Sequence, residues 1–162
     1  MSYSANQIES ITDAIHNIMN TNNDNVINVV DIARQLGFDV YQSSFTADNI
    51  DGMVINSPSE KAIYVNQSNS PERQRFTIAH EIGHIVLHHD TEQQYEVIDY
   101  RGNNTTYDSK EHEANIFAAS LLMPKNKVHQ IWNLLLDVDD FAKAFKVSKK
   151  AAAIRLDNME LI

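Results

Sequence analysis

The chain has 162 residues, of which 43% are hydrophobic and 22% charged. This composition is typical of soluble globular domains and excludes a disordered chain. The formal net charge is −9 and the sequence pI is near 5.1, which disfavours general nucleic-acid affinity because the phosphate backbone would repel the protein. There is no cysteine, so disulfides and thiolate metal sites are excluded, and any metal must be held by histidines and carboxylates.

The sequence predicts a cytoplasmic protein without a membrane anchor. No apolar run approaches the length of a membrane span. The first four residues, Met1 to Ser4, do not begin a basic segment followed by an apolar stretch, so we predict no signal peptide. The length fits one domain over 1–162, with a core at 1–136 and a helical tail at 137–162.

The first third of the chain predicts two helices followed by a small sheet. Residues 4–19 carry isoleucines at helical spacing, and a second helix begins at the capping residue Asn28 and ends at Gly37. Strands are predicted at 38–45, 53–55 and 61–66, separated by turn sequences. We therefore expect an α+β fold, with a small antiparallel sheet packed beside a helical core.

The most informative motif lies in the next helix. Ser70 can cap this helix and Pro71 suits its first position, so it is predicted to run to His88 or His89. It contains His80-Glu81-Ile82-Gly83-His84, an H-E-x-x-H string. Histidines four residues apart share one helix face and can hold one Zn²⁺, and Glu81 beside them can take a proton from the attacking water.

A zinc peptidase site needs a third protein ligand and one open position. His88 fails on geometry, because eight residues of helix rise about 12 Å and zinc–ligand bonds are about 2 Å. We expect His88 to be a helix-end residue favoured by the helix dipole. The better source is the segment around Glu111 and Glu113, which lie on the two flanks of an apolar helix stripe, whereas His112 faces solvent. Periodicity alone does not choose between the two glutamates.

The remaining segments predict a long connection and more helices. Residues 90–107 are polar and are interpreted as a lid or an insertion. A helix begins near Asp108 or Ser109 and ends at Pro124, another starts near Asn126, and the tail forms two short helices broken near Val147-Ser148. Three tyrosines of the connection could supply a hydroxyl to a developing oxyanion, but loop anchoring is the more common role and none is assigned to them: Tyr95, Tyr100 and Tyr107.

Two motifs together resemble the ImmA/IrrE family of small metallopeptidases of phages, mobile elements and bacteria. They are the run 75–84, which ends in the H-E-x-x-H string, and the run 113–124, which contains Glu113-Ala114-Asn115-Ile116-Phe117-Ala118 and ends in Leu-Leu-Met-Pro. The resemblance implies that His80, His84 and Glu113 hold zinc and that Glu81 is the general base. It also implies a protein substrate, typically a DNA-binding repressor whose cleavage switches on genes of a phage or mobile element.

Two rival functions start from the same residues. A binding module could sequester a regulator or antitoxin-like partner with a purely structural zinc, but such a module has no need of Glu81 beside the metal. The tail resembles a helix-turn-helix and is locally basic, yet acidic residues flank it, so we expect a packed helical pair without DNA contact. His129, like His112, is expected at the surface. Strands 52–55 and 61–66 are expected to line the cleft and to pair with an extended substrate.

Overall fold

The computed structural model describes residues 2–88, 94–101 and 108–162. Within these ranges the chain forms seven helices and one four-stranded sheet, which confirms the α+β class. The helices are α1 (Ala5–Met19), α2 (Val29–Gln35), α3 (Pro71–His88), α4 (Ser109–Leu122), α5 (Lys125–Leu135), α6 (Val138–Phe145) and α7 (Lys149–Asn158). The strands are β1 (Asp39–Ser43), β2 (Ile50–Asn56), β3 (Lys61–Asn66) and β4 (Tyr95–Tyr100). No helix in the described ranges is long and apolar enough to span a bilayer.

Polar side chains fix the starts of the helices where the sequence predicts them. Ser4 and Gln7 form a reciprocal capping box at α1, and Asn28 accepts a hydrogen bond from a backbone N–H of α2. Ser70 Oγ accepts from the backbone N–H of Arg73, at 3.2 Å, in the first turn of α3. Asp108 caps α4 in the same way. These bonds satisfy amide groups that lack partners inside a helix.

The sheet is mixed, and this differs from the expected antiparallel sheet. Its strand order is β1-β3-β2-β4. β2 runs antiparallel to both of its neighbours, but β1 pairs with β3 in parallel, with Asp39 opposite Ala62. The hairpin of β2 and β3 folds so that β3 lies next to β1. Strand propensity predicts that these segments are extended, but it carries no information on the direction of pairing.

Strand β4 corrects the interpretation of residues 90–107 as one connection. Residues 95–100 pair with β2 along its whole length, with Met53 opposite Ile98. Residues 89–93 and 102–107, including Tyr107, lie outside the described ranges. Because β2 lies between β3 and β4, and β3 lies between β1 and β2, neither strand has a free edge, and the prediction that a substrate pairs with residues 52–55 and 61–66 is wrong. Among the described strands, β1 and β4 are the edges of the sheet.

Gly83 lets helix α3 pack directly against α4, with no side chain between them at this position. A Cβ atom at Gly83 would lie 3.1 Å from Phe117 Cβ and 3.2 Å from Ala114 Cα. These distances are shorter than ordinary van der Waals contact, so a larger residue at position 83 would push the helices apart. The crossing places the first turn of α4 beside the H-E-x-x-H turn of α3.

The C-terminal tail packs into the same hydrophobic core as α3 and α4. Phe141, Phe145 and Leu156 are completely buried in the core cluster that also contains Phe117. Burying one such side chain contributes about 1.5–3 kcal/mol. Arg155 of α7 is also buried, donates hydrogen bonds to the backbone oxygen of Met123 at 2.9 and 3.2 Å, and pairs with Glu9. Helices α6 and α7 are therefore a packed helical pair, as predicted.

The approach of α3 to the sheet yields a prediction at Gly52 of β2. A Cβ atom there would lie 2.6 Å from Thr77 Cγ2 of α3 and 3.0 Å from the backbone oxygen of Tyr64. Gly52→Ala should therefore lower the free energy of unfolding by about 1–3 kcal/mol. Urea unfolding in the presence of EDTA measures this without a contribution from bound metal. Thr77→Ser removes the clashing methyl group and should recover part of the loss in the double variant. Strictly additive effects of the two substitutions would contradict this steric explanation.

A network of ion pairs around the buried Asp51 yields a second prediction, for pH dependence. Asp51 accepts hydrogen bonds from Arg73 at 2.7 and 3.1 Å, from Arg101 at 2.9 and 3.1 Å, and from Asn69 at 3.0 Å. Burial alone would raise the pKa of Asp51, but these bonds outweigh it and hold the pKa below its usual value.

Because the pKa of Asp51 is lower in the folded state than in the unfolded state, the ionised side chain stabilises the fold at pH values above the unfolded-state pKa, near 3.9. This stabilisation is lost as the pH falls through the folded-state pKa. Asp51→Asn should therefore cost on the order of 1–3 kcal/mol of unfolding free energy at pH 7. The difference between wild type and variant should shrink below about pH 4, which chemical denaturation across pH 3–7 would show. A difference that is constant over this pH range would refute the ionic explanation.

Candidate metal centre

The two histidines of the H-E-x-x-H string converge as predicted. His80 and His84 lie one turn apart on α3, and both are buried. Their Nε2 atoms are 3.1 Å apart. This separation brings both ring nitrogens within reach of one small cation.

The structure brings Glu111 to the two histidines, whereas the family resemblance implied Glu113 as the third ligand. Glu111 Oε2 lies 3.1 Å from His80 Nε2, and Glu111 Oε1 lies 2.8 Å from His84 Nε2. Glu113 instead contacts His88, with Oε2 2.7 Å from the Nε2 atom of that residue. Two residues along a helix differ by about 200° in direction, so the two glutamates reach α3 at different turns.

The three donors fit a catalytic zinc site in chemistry and spacing. In the described residues, His80, His84 and Glu111 form a group whose potential ligand atoms all lie within 4.8 Å of one another. Two imidazoles and one carboxylate are a known ligand set of catalytic zinc, with a fourth position left open. Ligand atoms at tetrahedral corners, each about 2.0–2.2 Å from the ion, are about 3.3–3.6 Å apart. The contacts of 2.8–3.1 Å in the structure, two of which involve different oxygens of Glu111, are somewhat shorter than this range.

A hydrogen bond from His80 to Asn115 orients His80 toward the site. Asn115 Oδ1 lies 2.9 Å from His80 Nδ1. An amide oxygen only accepts, so the Nδ1 atom must carry the proton, and the Nε2 lone pair of a neutral ring is left for a metal. Asn115 belongs to the sequence motif that contains Glu113, but the sequence alone assigned it no role.

Glu81 is a buried carboxylate with no hydrogen-bond partner in the described part of the chain. Its side chain is completely buried, and neither oxygen is satisfied. Burial raises the pKa of Glu81 to about 8; the nearby charge of His80 lowers the pKa, and those of Asp99 and Glu111 add to the increase. A buried group of this kind costs free energy unless something completes it, so Glu81 is suited to bind a water molecule and to accept and release its proton.

The local charges also set the protonation of the ligands. Burial lowers the pKa of His80, but the hydrogen bond to Glu111 and the charges of Glu81 and Asp99 outweigh this and raise the pKa to about 9. The hydrogen bonds from His80 and His84 hold the pKa of Glu111 well below its usual range. Protons therefore compete with a metal for His80, and metal binding must release them.

Asp99 of β4 is a third carboxylate at the centre, and the sequence analysis missed it. One oxygen of Asp99, one of Glu81 and a ring nitrogen of His80 lie within 4.8 Å of one another. Burial raises the pKa of Asp99. The alternation of aromatic and β-branched residues in Tyr95-Glu96-Val97-Ile98 is a strand signal that could have placed Asp99 on the sheet.

The structure also places the other histidines and the tyrosines that the sequence analysis considered. His112 and His129 are exposed, as expected. His88 ends α3, as expected, but its side chain is only 2% exposed and contacts both His84 and Glu113, which the sequence did not predict. Burial and the charge of Glu81 raise the pKa of Tyr95 to about 12, whereas Tyr100 is 41% exposed.

Comparison with known proteins decides the family. Residues 33–157 match the family Peptidase_M78, described as the IrrE N-terminal-like domain. The chain belongs to this family. The match confirms the resemblance to ImmA/IrrE proteins and covers most of the chain, including helices α6 and α7.

Two relatives of this ImmA/IrrE-family chain are named radiation response metalloprotease IrrE. The protein from Deinococcus radiodurans is 38% identical over 68 residues, which are 42% of this chain and 21% of the relative. The protein from Deinococcus deserti is 35% identical over 74 residues, which are 46% of this chain and 26% of the relative. The aligned part thus spans about a quarter of each relative.

A solved structure shows that the fold extends beyond these short alignments. It is that of a Mycobacterium tuberculosis transcriptional regulator, with a TM-score of 0.65 at 17% identity. The similarity covers 94% of this chain and 48% of that chain. At this identity the similarity shows a shared fold and carries no information on activity.

The geometry predicts which glutamate is needed for metal binding. Glu111→Gln should abolish stoichiometric zinc binding, because the amide is a poor metal ligand and lacks the charge of the carboxylate. Elemental analysis of the purified protein measures zinc per chain, with about one expected for wild type. His129→Gln, an exposed histidine on α5, is the control and should retain zinc. Full zinc in Glu111→Gln would place the third ligand elsewhere.

Proposed function

We propose that the protein is a zinc-dependent endopeptidase. The observation that carries this proposal is the convergence of His80, His84 and Glu111 beside the buried, unpartnered carboxylate of Glu81. Family membership supports it, because the IrrE relatives carry the name metalloprotease. The ligand set of two histidines and one carboxylate favours zinc over magnesium or calcium, which prefer oxygen ligands.

The residues of the site have distinct roles in hydrolysis. Zinc held by His80, His84 and Glu111 would supply Lewis acidity, which activates a water molecule and polarises the scissile carbonyl. Glu81 takes a proton from the attacking water as the new C–O bond forms. It then gives a proton to the amide nitrogen as the C–N bond breaks, so the products are a carboxylate and an amine. Asn115 keeps His80 oriented throughout.

We place the peptide substrate along β4, in place of the strand pair expected from the sequence. β4 is an edge strand among the described residues, and it carries Asp99 next to His80 and Glu81. An extended peptide can add to such an edge through main-chain hydrogen bonds. Glu111 is about half exposed, so the centre is open to solvent on the side of this glutamate.

We propose a DNA-binding repressor of the helix-turn-helix class as the substrate, with cleavage in the cytoplasm derepressing genes of a phage or mobile element. Resemblance to the ImmA/IrrE family is the main support for this choice. Electrostatics add a second argument, because a chain with net charge −9 attracts the basic surface of a DNA-binding domain. The same charge disfavours direct binding of this protein to DNA.

Co-expression with the regulator encoded next to the protein tests this proposal. Wild type should produce one or a few specific fragments of the regulator, and Glu81→Gln should reduce the cleavage rate by about 10²–10⁴-fold while retaining zinc. The glutamine has nearly the same size but cannot accept the proton of the water. Immunoblots and mass spectrometry identify the fragments, and His129→Gln controls for expression.

Three outcomes would contradict different parts of the proposal. Undiminished cleavage by zinc-loaded Glu81→Gln would reject the general-base role. Tight regulator binding without any fragment would favour the sequestering module. Rapid digestion of casein would argue against a dedicated regulatory protease, because selectivity for a regulator requires docking contacts beyond the zinc site.

A further inference from the structure

A chain of hydrogen bonds leads from His84 away from the converging donors His80 and Glu111. His84 Nδ1 lies 3.1 Å from His88 Nδ1, and His88 Nε2 lies 2.7 Å from Glu113 Oε2. Glu113 Oε1 accepts from Ser2 Oγ at 2.7 Å and from the backbone N–H of Tyr3 at 2.9 Å. The series of hydrogen bonds thus runs from α3 through α4 to the segment before α1.

Three side chains of this hydrogen-bonded chain are shielded from solvent. The side chains of His84, His88 and Glu113 are 5%, 2% and 4% exposed, respectively. Hydrogen bonds in such surroundings are strong, and leaving one partner unsatisfied is costly. Both oxygens of Glu113 are already occupied, one by His88 and one by Ser2 and Tyr3. These bonds hold the carboxylate away from the converging donors.

Metal ligation by His84 would fix the position of each ring proton in this chain of hydrogen bonds. If the Nε2 lone pair of His84 binds a metal, the Nδ1 atom carries the proton and donates to His88 Nδ1. His88 then carries its own proton on Nε2 and donates to the Glu113 carboxylate. No donor faces a donor, and no acceptor faces an acceptor. With a neutral His88 ring, the arrangement is complete only in the tautomer of His84 that can bind metal.

We infer that His88 and Glu113 are positioning residues that orient His84 for zinc, and that Glu113 is not itself a ligand. They act on His84 as Asn115 acts on His80, but through a second imidazole and a carboxylate. Partners of this kind fix the ring orientation of a ligand and raise its basicity, and their loss typically weakens metal binding about 10–100-fold. The inference rests on the metal centre of the proposed function and does not depend on proteolysis.

Zinc affinity of the full-length chain, measured by competition with a chromophoric chelator, tests the inference. Glu113→Gln and His88→Leu should weaken zinc binding about 10–100-fold, yet both should still bind one zinc per chain at saturation. His88→Asn should bind more tightly than His88→Leu, because its amide oxygen can still accept the proton of His84 Nδ1. Glu111→Gln is the ligand control, and His129→Gln is the surface control.

Circular dichroism and thermal unfolding in EDTA show whether each metal-free variant folds. If Glu113→Gln does not fold, the comparison of His88→Asn with His88→Leu decides alone. Loss of zinc stoichiometry in Glu113→Gln, as in Glu111→Gln, would show that Glu113 is a ligand and overturn the inference. Affinities within about twofold of wild type in every folded His88 and Glu113 variant would also overturn it.

The zinc-affinity measurements test the roles of His88 and Glu113 independently of the co-expression experiment, which tests proteolysis. Normal zinc binding by wild type with no regulator fragment would reject the endopeptidase and leave the role of His88 and Glu113 to be decided by the affinities. A wild-type chain that binds no zinc would reject both.

Discussion

The close crossing of α3 and α4 at Gly83 is the constraint on which the metal centre depends. Ala114 and Phe117 of α4 occupy the space that a side chain at position 83 would need. This contact sets the separation of the two helices, and it brings carboxylates from α4 to the histidines of α3. The donors His80 and His84 come from one helix, so their spacing is local, whereas the third donor exists only because of the tertiary packing. Metal affinity and core packing are therefore linked through the same pair of helices.

The crossing also concentrates negative charge in a buried region. Glu81, Asp99 and Glu111 all act on the same imidazole, and burial disfavours the charged form of the first two. A group of carboxylates around two histidines is unfavourable without a cation, because like charges repel and the surroundings screen them poorly. A divalent ion bound at this position would relieve that repulsion. Protons fill the same role in the metal-free protein, which explains why the pKa of His80 is raised.

The sequence predicted the local features well, because short-range rules govern them. The H-E-x-x-H geometry follows from the helical repeat, and Ser70, Asn28 and Asp108 cap helices where side-chain chemistry requires. The α+β class followed from the order of the periodic segments. The sequence did not predict that β1 and β3 run parallel, since pairing direction depends on contacts between distant segments.

The choice between Glu111 and Glu113 shows where sequence reasoning reached its limit. Periodicity placed both glutamates at the flanks of the α4 stripe, and which flank faces the histidines depends on the direction in which α4 crosses α3. The burial of His88 was also missed, because a histidine near a helix end is usually exposed, and its contacts come from Glu113 on another helix. Likewise, Asp99 reaches the centre only because β4 pairs with β2. In each case the deciding contact joins residues at least 25 positions apart in the chain.

Successive turns of α3 and the two flanks of α4 therefore build two layers of the same site. His80 and His84 meet Glu111 in the layer that faces the opening, while His88 meets Glu113 in the layer behind it. The solvent exposure of the two glutamates follows this division, at 45% for Glu111 and 4% for Glu113. A ligand that completes a catalytic metal site has to leave room for water and substrate, which the more exposed glutamate does. A residue that orients a ligand has to be fixed by its neighbours, and the buried glutamate is held from both sides. The same packing that places the metal ligands thus also places the groups that keep them oriented.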